Sequence, residues 1–296
     1  MEIVAPAGAG GAIDRTARLI QQLAHENKLL NVTTSMLNKP GGGHSIGYAY
    51  LNQHAGNGHY LMVTSTNLVT NYLGGTSRIH HGDVSPVALL FNEYVVFSVS
   101  TESPVKNAQG LVEAFKTRPE TLSTGVGSSI SGANSVAVGL VAKAAGGDPK
   151  KVKIVAFKSA AEAATALMGG HLALVATSPG IVLSGVKSGK FRPLAVAAPR
   201  RLGGEFAGVP TWKELGIGVV VGNWRILIAP KGLRNEQLEY WDQIMARVVA
   251  TAGWLEQLEQ NSAQPEYMNS AATRRFLEEQ ETLFRNTFAE LGMMKK

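Results

Sequence analysis

The segment Lys39 to Leu51 reads KPGGGHSIGYAYL, and inside it Gly43-His44-Ser45-Ile46-Gly47 matches G-x-S-x-G, the turn that lifts a nucleophilic serine above an α/β-hydrolase sheet. Such a serine needs a strand running directly into the turn, several strands before it, and an acid and a histidine later in the chain. Asp83 or Asp148 followed by His171 supplies the order. The geometry does not follow. Pro40 and the glycines Gly41, Gly42 and Gly43 separate Ser45 from the nearest strand, which ends near Leu37, and too few strands precede it to set it at the centre of a hydrolase sheet. Ser45 therefore reads as a residue at the start of a helix, with serine hydrolysis kept as the rival activity.

Two other segments offer ligand chemistry without a nucleophile. In APAGAGGAIDRTARL, the glycines Gly8, Gly10 and Gly11 fall between a short strand and a helix start, where backbone can approach a ligand and successive N–H groups stay unpaired. With the positive end of the helix dipole, Ala7, Gly8, Ala9, Gly10 and Gly11 suit a carboxylate or phosphate with no charged side chain. A glycine turn that serves only packing gives the same letters. The run lacks the Gly-Lys-Ser/Thr ending of a phosphate loop and fails the dinucleotide fingerprint. Asp14, in the first turn, complements the dipole and is counted with this loop.

The second segment, STGVGSSISGANS, places Gly125 and Gly127 before Ser128, Ser129 and Ser131, so hydroxyls and amides gather where the next helix begins. A solvated helix cap is the alternative. Ser65-Thr66-Asn67 and Thr177-Ser178 put short hydrogen-bonding side chains at strand ends, where open α/β sheets bind ligands. Two polar strand ends facing one cleft imply a ligand with an anionic group at each end. His80 and His81, being adjacent, either point apart in a strand or sit loosely in a loop. No H-E-x-x-H or comparable spacing occurs, so neither a metal site nor a cofactor is expected. No carboxylate pair suggests acid–base work.

Positioning these residues falls to short β-branched runs that alternate with amphipathic helices, the pattern of a mainly parallel α/β sheet. Strands are expected over Val32–Leu37, Tyr60–Thr64, Val84–Leu90, Tyr94–Ser100, Lys153–Phe157, Leu172–Thr177 and Leu194–Ala198. Ile13, Ala17, Ile20 and Ala24 recur at helical spacing and lay one apolar stripe on the sheet. Further helices are expected over Ala108–Lys116, Gly132–Ala145, Ala160–Met168 and Pro179–Lys187. After Asn235 two long helices, Glu236–Gln260 and Ala271–Leu291, are expected to follow each other with no strand between them. If they pack back on the N-terminal lobe, the chain crosses twice, near Val99 and near Arg225. The lobes are then 1–98 with 228–296, and 99–227, with a cleft between them.

The chain of 296 residues has room for about two domains. It contains no cysteine, which excludes disulfides and thiolate chemistry. The 28 Lys+Arg against 22 Asp+Glu give a net charge of +6, mildly favouring anionic partners. The basic residues are scattered, and nucleic-acid binding is not expected. No run approaches a membrane helix. The start, Met-Glu-Ile-Val, lacks the regions of a signal peptide, and the expectation is that a leader was removed.

These residues resemble the Bug/TctC family, the periplasmic solute-binding proteins of tripartite tricarboxylate transporters. The family opening Pro-Phe-x-x-Gly-Gly-x-x-Asp is similar to Pro6 through Asp14, and its Asn-Arg-Pro-Gly-x-Gly-x-x-x-Gly to Asn38 through Gly47. DVSPVALL, LMGGHLALVATSP, GVKSGKFRPLAVAAPRR, GVPTWKELG and NWRILIAPKG follow in family order. The resemblance implies a type II periplasmic-binding-protein fold, two Rossmann-like lobes joined by crossover strands. It also implies a non-enzymatic protein that closes on a small carboxylate and delivers it to a membrane permease. The family's ligand positions match Ala7 to Gly11 on one lobe, and Gly127 to Ser131 with Thr177-Ser178 on the other.

Departures bear on the ligand. Ala7 stands where the family usually has phenylalanine, opening space for an acid bulkier or longer than four carbons, aromatic acids included. Ala176-Thr177-Ser178 replaces Phe-Asp-Ser, removing a partner for a ligand ammonium, so amino acids are disfavoured. Arg225, where the family often has an aromatic, either pairs with a second carboxylate or lies on the outer surface. A monomer is expected, and a sensor that docks on a signalling partner is the remaining alternative.

Overall fold

The computed structural model describes residues 1–127 and 129–294. In chain order its elements are β1 (Glu2–Ala5), α1 (Ala12–Glu26), β2 (Ser35–Asn38), α2 (Ser45–Asn52), β3 (Tyr60–Ser65), α3 (Asn67–Leu73), β4 (Val84–Asn92), β5 (Val96–Ser100), α4 (Ala108–Thr117), β6 (Thr124–Gly127) and α5 (Ala133–Ala144). They continue with β7 (Ile154–Phe157), α6 (Ala160–Met168), β8 (Leu174–Thr177), α7 (Pro179–Lys187), β9 (Phe191–Val196), β10 (Arg225–Pro230), α8 (Asn235–Val249), α9 (Ala252–Gln260), β11 (Gln264–Met268) and α10 (Ser270–Leu291).

The chain divides into two compact units. The first comprises Met1–Asn92, Trp224–Leu258 and Gln264–Lys296, and the second Glu93–Asn223 with Glu259–Ala263. The first unit is built on a six-stranded sheet in the order β11-β4-β10-β3-β1-β2. Ile13, Ala17, Ile20 and Ala24 of α1 are buried as their spacing requires, and β3 is buried from Leu61 to Ser65. Trp224, Tyr48 and Trp254 are among the largest fully enclosed side chains, each burial stabilising by about 2–3 kcal/mol.

The second unit carries a five-stranded sheet, β7-β6-β8-β5-β9. Its core gathers Phe97, Phe115, Val138 and Trp212, with the Phe97 and Trp212 rings edge to face at 5.2 Å.

Both sheets are mixed rather than mainly parallel by pairing. β1 pairs in parallel with β2 and β3, whereas β10 runs antiparallel to β3 and β4, and β11 to β4. In the second sheet β6 is parallel to β7 and β8, while β5 is antiparallel to β8 and β9. The two apolar runs expected to carry the chain across thus become β5 and β10, each inserted against the direction of both its neighbours. Continuous apolar runs signal a strand buried on both faces without revealing its direction.

The C-terminal third differs from expectation twice. The helix predicted over 236–260 is two helices, because Thr251 Oγ1 accepts the Trp254 amide at 3.3 Å and donates to the Val248 carbonyl at 2.8 Å, and so starts a new helix. A strand, β11, also precedes α10 and pairs with β4 at the sheet edge. Its sequence Gln-Pro-Glu-Tyr-Met has no β-branched residue and contains a proline, which an edge strand tolerates and a central one does not.

Candidate functional site

In the first unit, parallel pairing of β1 with β2 and β3 brings three strand ends to one edge of the sheet. Arg225, the first residue of β10, joins them by pairing with Ser65. This edge therefore collects Ala7 to Gly11, Asn38, Ser65 to Asn67 and Arg225.

Asp14 organises the first loop from inside. Its side chain is buried; Oδ2 accepts the Gly10 amide at 2.9 Å and Arg18 Nε at 3.0 Å, and Oδ1 accepts Asn38 Nδ2 at 2.9 Å. Asn38 Nδ2 also reaches the Ala7 carbonyl at 3.0 Å, tying both ends of the loop to β2. Burial by itself would raise the Asp14 pKa, but the bonds from Arg18, Gly10 and Asn38 outweigh it and hold the carboxyl below its ordinary value. The Gly10 amide is thus committed to Asp14, and the Gly11 amide approaches the Gly8 carbonyl at 3.4 Å. Gly8 is half-buried, Ala9 and Gly10 are exposed, and Ala7 is enclosed.

Behind the second loop lies a histidine that sequence reasoning passed over as part of the G-x-S-x-G match. His44 is 1% exposed. Its Nε2 accepts from Asn67 Nδ2 at 3.1 Å and its Nδ1 faces Thr64 Oγ1 at 3.3 Å, where Tyr48 OH also bonds at 2.7 Å. An amide NH₂ can only donate, so Nε2 is the acceptor and Nδ1 carries the proton. Burial, assisted by the nearby Arg225 charge, pushes the His44 pKa down to about 3. His44 orients Asn67, and Asn67 is one of the expected ligand residues. Arg225 is 2% exposed, which removes the alternative that it lies on the outer surface.

Ser45 is the first residue of α2, and its Oγ donates to the Thr76 carbonyl at 3.0 Å. The glycines before it serve the backbone: Gly41, Gly42 and Gly43 have φ of 122°, 56° and 58°, and His44 follows at 82°, a passage L-residues rarely make. Gly47 serves contact, since a Cβ there would come 2.6 Å from Pro6 Cβ. Each letter of the apparent elbow thus has a structural cause.

In the second unit the same logic gathers the ends of β6 and β8 and the start of β5. Gly127 closes β6 where a Cβ would meet Ala160 N at 2.7 Å, and a Cβ on Gly125 would meet Leu172 Cδ1 at 2.4 Å. Both glycines admit close packing beneath the loop. Ser128 lies outside the described residues. Ser129 and Ser131 are buried, the Ser131 amide bonding Ser129 Oγ at 3.1 Å. Thr177 is buried at the end of β8, and its Oγ1 has no hydrogen-bond partner. Ser178 Oγ donates to Glu93 Oε2 at 2.6 Å, both residues being buried. Sequence reasoning missed Glu93. Its only signal was an acid standing in an otherwise apolar crossover run. It missed Asn134 and Ser135 as well, whose buried Oδ1 and Oγ atoms lack partners in the first turn of α5.

Of the two alternatives for the adjacent histidines the loop is the one found, but it is not loose: the ring centroids of His80 and His81 are 4.0 Å from each other and both Nε2 atoms reach Glu281. They sit in a tight turn rather than a strand, and a turn has no side-to-side alternation.

Comparison with known proteins follows the same outline. The family model described as "Tripartite tricarboxylate transporter family receptor" matches residues 17–293. A Cupriavidus necator protein, "UPF0065 protein in gbd 5'region", is 27% identical over 97% of this chain and 86% of its own length. Among solved structures, periplasmic binding protein BugD superposes with a TM-score of 0.90 at 21% identity, covering 100% of this chain and 98% of its own. A Rhodopseudomonas palustris protein with adipate gives 0.90 at 22%, covering 99% and 97%. MatC of the same organism, with bound malate, gives 0.87 at 20%, covering 97% and 98%. These likenesses show the periplasmic-binding-protein fold.

Proposed function

Because this chain belongs to the tripartite tricarboxylate transporter receptor family, the Bug/TctC solute-binding proteins, we propose that it captures a small dicarboxylate outside the cytoplasm and presents it to the permease subunits of such a transporter. The family and the solved relatives are solute-binding proteins rather than enzymes, so the hydrolase reading of Ser45 is set aside. Each of the two units carries its own set of ligand-holding strand ends, and capture involves a hinge motion. The working form is a periplasmic monomer.

One observation carries this reading: Asp14, Asn38 and Arg18 hold the Ala7–Gly11 loop at the start of α1 by bonds from within. With the Gly10 amide spent on Asp14, the loop so held offers the dipole of α1 rather than a cationic side chain, which suits a carboxylate. Ser65, Thr66 and Asn67 extend the same edge, and Arg225 supplies positive charge for a second carboxylate. Gly127 to Ser131 with Thr177 and Ser178 contribute from the other lobe. That relatives were solved with malate and with adipate, acids of different length, supports the class. Ala7, smaller than the phenylalanine of the family, favours the longer or bulkier acid.

A thermal-shift screen across mono-, di- and tricarboxylates, aliphatic and aromatic, tests it, since a ligand that binds the native state raises the melting temperature by mass action. A six-carbon or aromatic diacid is expected to stabilise most. Stabilisation by four-carbon acids alone would overturn the size argument, and by no carboxylate the whole reading.

A further inference from the structure

Away from the strand ends, three side chains that commonly ligate metals converge. His80 and His81 occupy the turn between α3 and β4, and Glu281 lies on α10. His80 Nε2 is 2.7 Å and His81 Nε2 2.8 Å from the same oxygen, Glu281 Oε2. The three ligand atoms all lie within 4.8 Å of one another. The carboxylate is divided in its loyalties, for Oε1 accepts from Arg285 Nη2 while Oε2 faces the imidazoles alone.

The fold fixes this arrangement. The His80 amide donates to Asp83 Oδ2 at 3.0 Å, the Gly82 amide to His80 Nδ1 at 3.0 Å, and the Tyr72 ring packs edge-on against His80 at 4.8 Å. A carboxylate only accepts, so without an ion each Nε2 donates its proton to Glu281 Oε2, and metal binding replaces those two protons. Access is open, the side chains of His80, His81 and Glu281 being 32%, 10% and 17% exposed.

We propose that His80, His81 and Glu281 form a binding site for a divalent transition-metal ion of the zinc class, with the two imidazole Nε2 atoms and Glu281 Oε2 as ligands and water completing the shell. Imidazole nitrogens select zinc, nickel or copper over magnesium and calcium, which take oxygen ligands. Zinc bonds of about 2.0–2.2 Å would spread the present N···O contacts by roughly half an ångström, a shift that rotation of the Glu281 carboxylate supplies. Arg285 on Oε1 then serves as the outer partner that orients a ligating carboxylate. To offer Nε2, each neutral imidazole carries its proton on Nδ1. In His80 that proton displaces the Gly82 amide, so metal binding and the Gly82 bond exclude each other. The ion would staple α10 to a turn some two hundred residues earlier in the chain.

The test strips the full chain of metal with a chelator and titrates it near pH 7 with ZnCl₂ or MgCl₂, read by calorimetry and thermal shift. Zinc is expected to bind and raise the melting temperature, magnesium to do neither, and the Gly82 amide to exchange faster with solvent when zinc is bound. Glu281→Gln and His81→Gln should each weaken zinc binding at least about tenfold. Absence of zinc binding at millimolar concentration, or full-strength binding by both variants, overturns the proposal. Should a variant fail to fold, the unaltered chain loaded with Co²⁺ decides: ligand-field bands of a four- or five-coordinate site sustain it, and the spectrum of hexaaqua cobalt overturns it.

Discussion

The Asp14 carboxylate accepts the Gly10 amide through Oδ2 at 2.9 Å while Oδ1 holds Asn38 at 2.9 Å, so one buried acid fixes both the loop and the strand end beside it. Asp14→Ala leaves those donors without an acceptor and should cost about 1–3 kcal/mol of stability, together with most carboxylate affinity. Denaturant unfolding and calorimetry measure the two effects. Retention of full affinity would mean the loop does not hold the ligand. Because the folded pKa of Asp14 is lowered, its contribution is complete above the ordinary carboxylate range and is lost as pH falls through the lowered folded value.

His44 gives a pH dependence of the same sign in a different window. Its pKa falls from 6.5 unfolded to about 3 folded, so below 6.5 the unfolded chain takes up a proton that the native chain refuses. Stability should therefore be complete above that value and decline on acidification by up to about 1.4 kcal/mol per pH unit from this group. NMR should find the His44 ring unchanged between about pH 8 and pH 5. A ring that titrates in that range would show that the imidazole is not enclosed as described.

The G-x-S-x-G letters separate under mutation. Ser45→Ala removes one bond to the Thr76 carbonyl and should cost no more than about 1 kcal/mol, leaving carboxylate binding unchanged. Gly47→Ala drives a methyl to 2.6 Å from Pro6 Cβ and should cost about 1–3 kcal/mol. Thermal unfolding of the two variants side by side checks the order.

Gly127→Ala should likewise destabilise by about 1–3 kcal/mol, since the added Cβ meets Ala160 backbone at 2.7 Å and backbone cannot turn aside. If the variant unfolds at the wild-type denaturant midpoint, the loop above α6 is looser than the structure describes.

How much was legible follows from the range of each interaction. Periodicity placed α1, because Ile13, Ala17, Ile20 and Ala24 answer to a local repeat. It also placed α4 to α7 and most strands within a few residues. The C-terminal third was harder. Gln-Pro-Glu-Tyr-Met carries no strand signal of its own and becomes β11 only because β4 offers an edge to pair with. Thr251 ends one helix and starts another through two bonds that spacing does not predict. Strand direction was equally silent in β5 and β10.

By itself the sequence determined which loops are glycine-rich, which strands end in short polar residues, and the order of motifs that the family shares; these are properties of neighbours along the chain. Only the tertiary structure decided which groups meet. It set Asp14 beneath Gly10, enclosed His44 between Thr64 and Asn67, joined Ser178 to Glu93, and brought His80 and His81 to Glu281 across some two hundred residues. The reason is physical: a hydrogen bond or charge pair depends on distance through space, and space between distant residues is fixed by packing of the core, which no local spacing records.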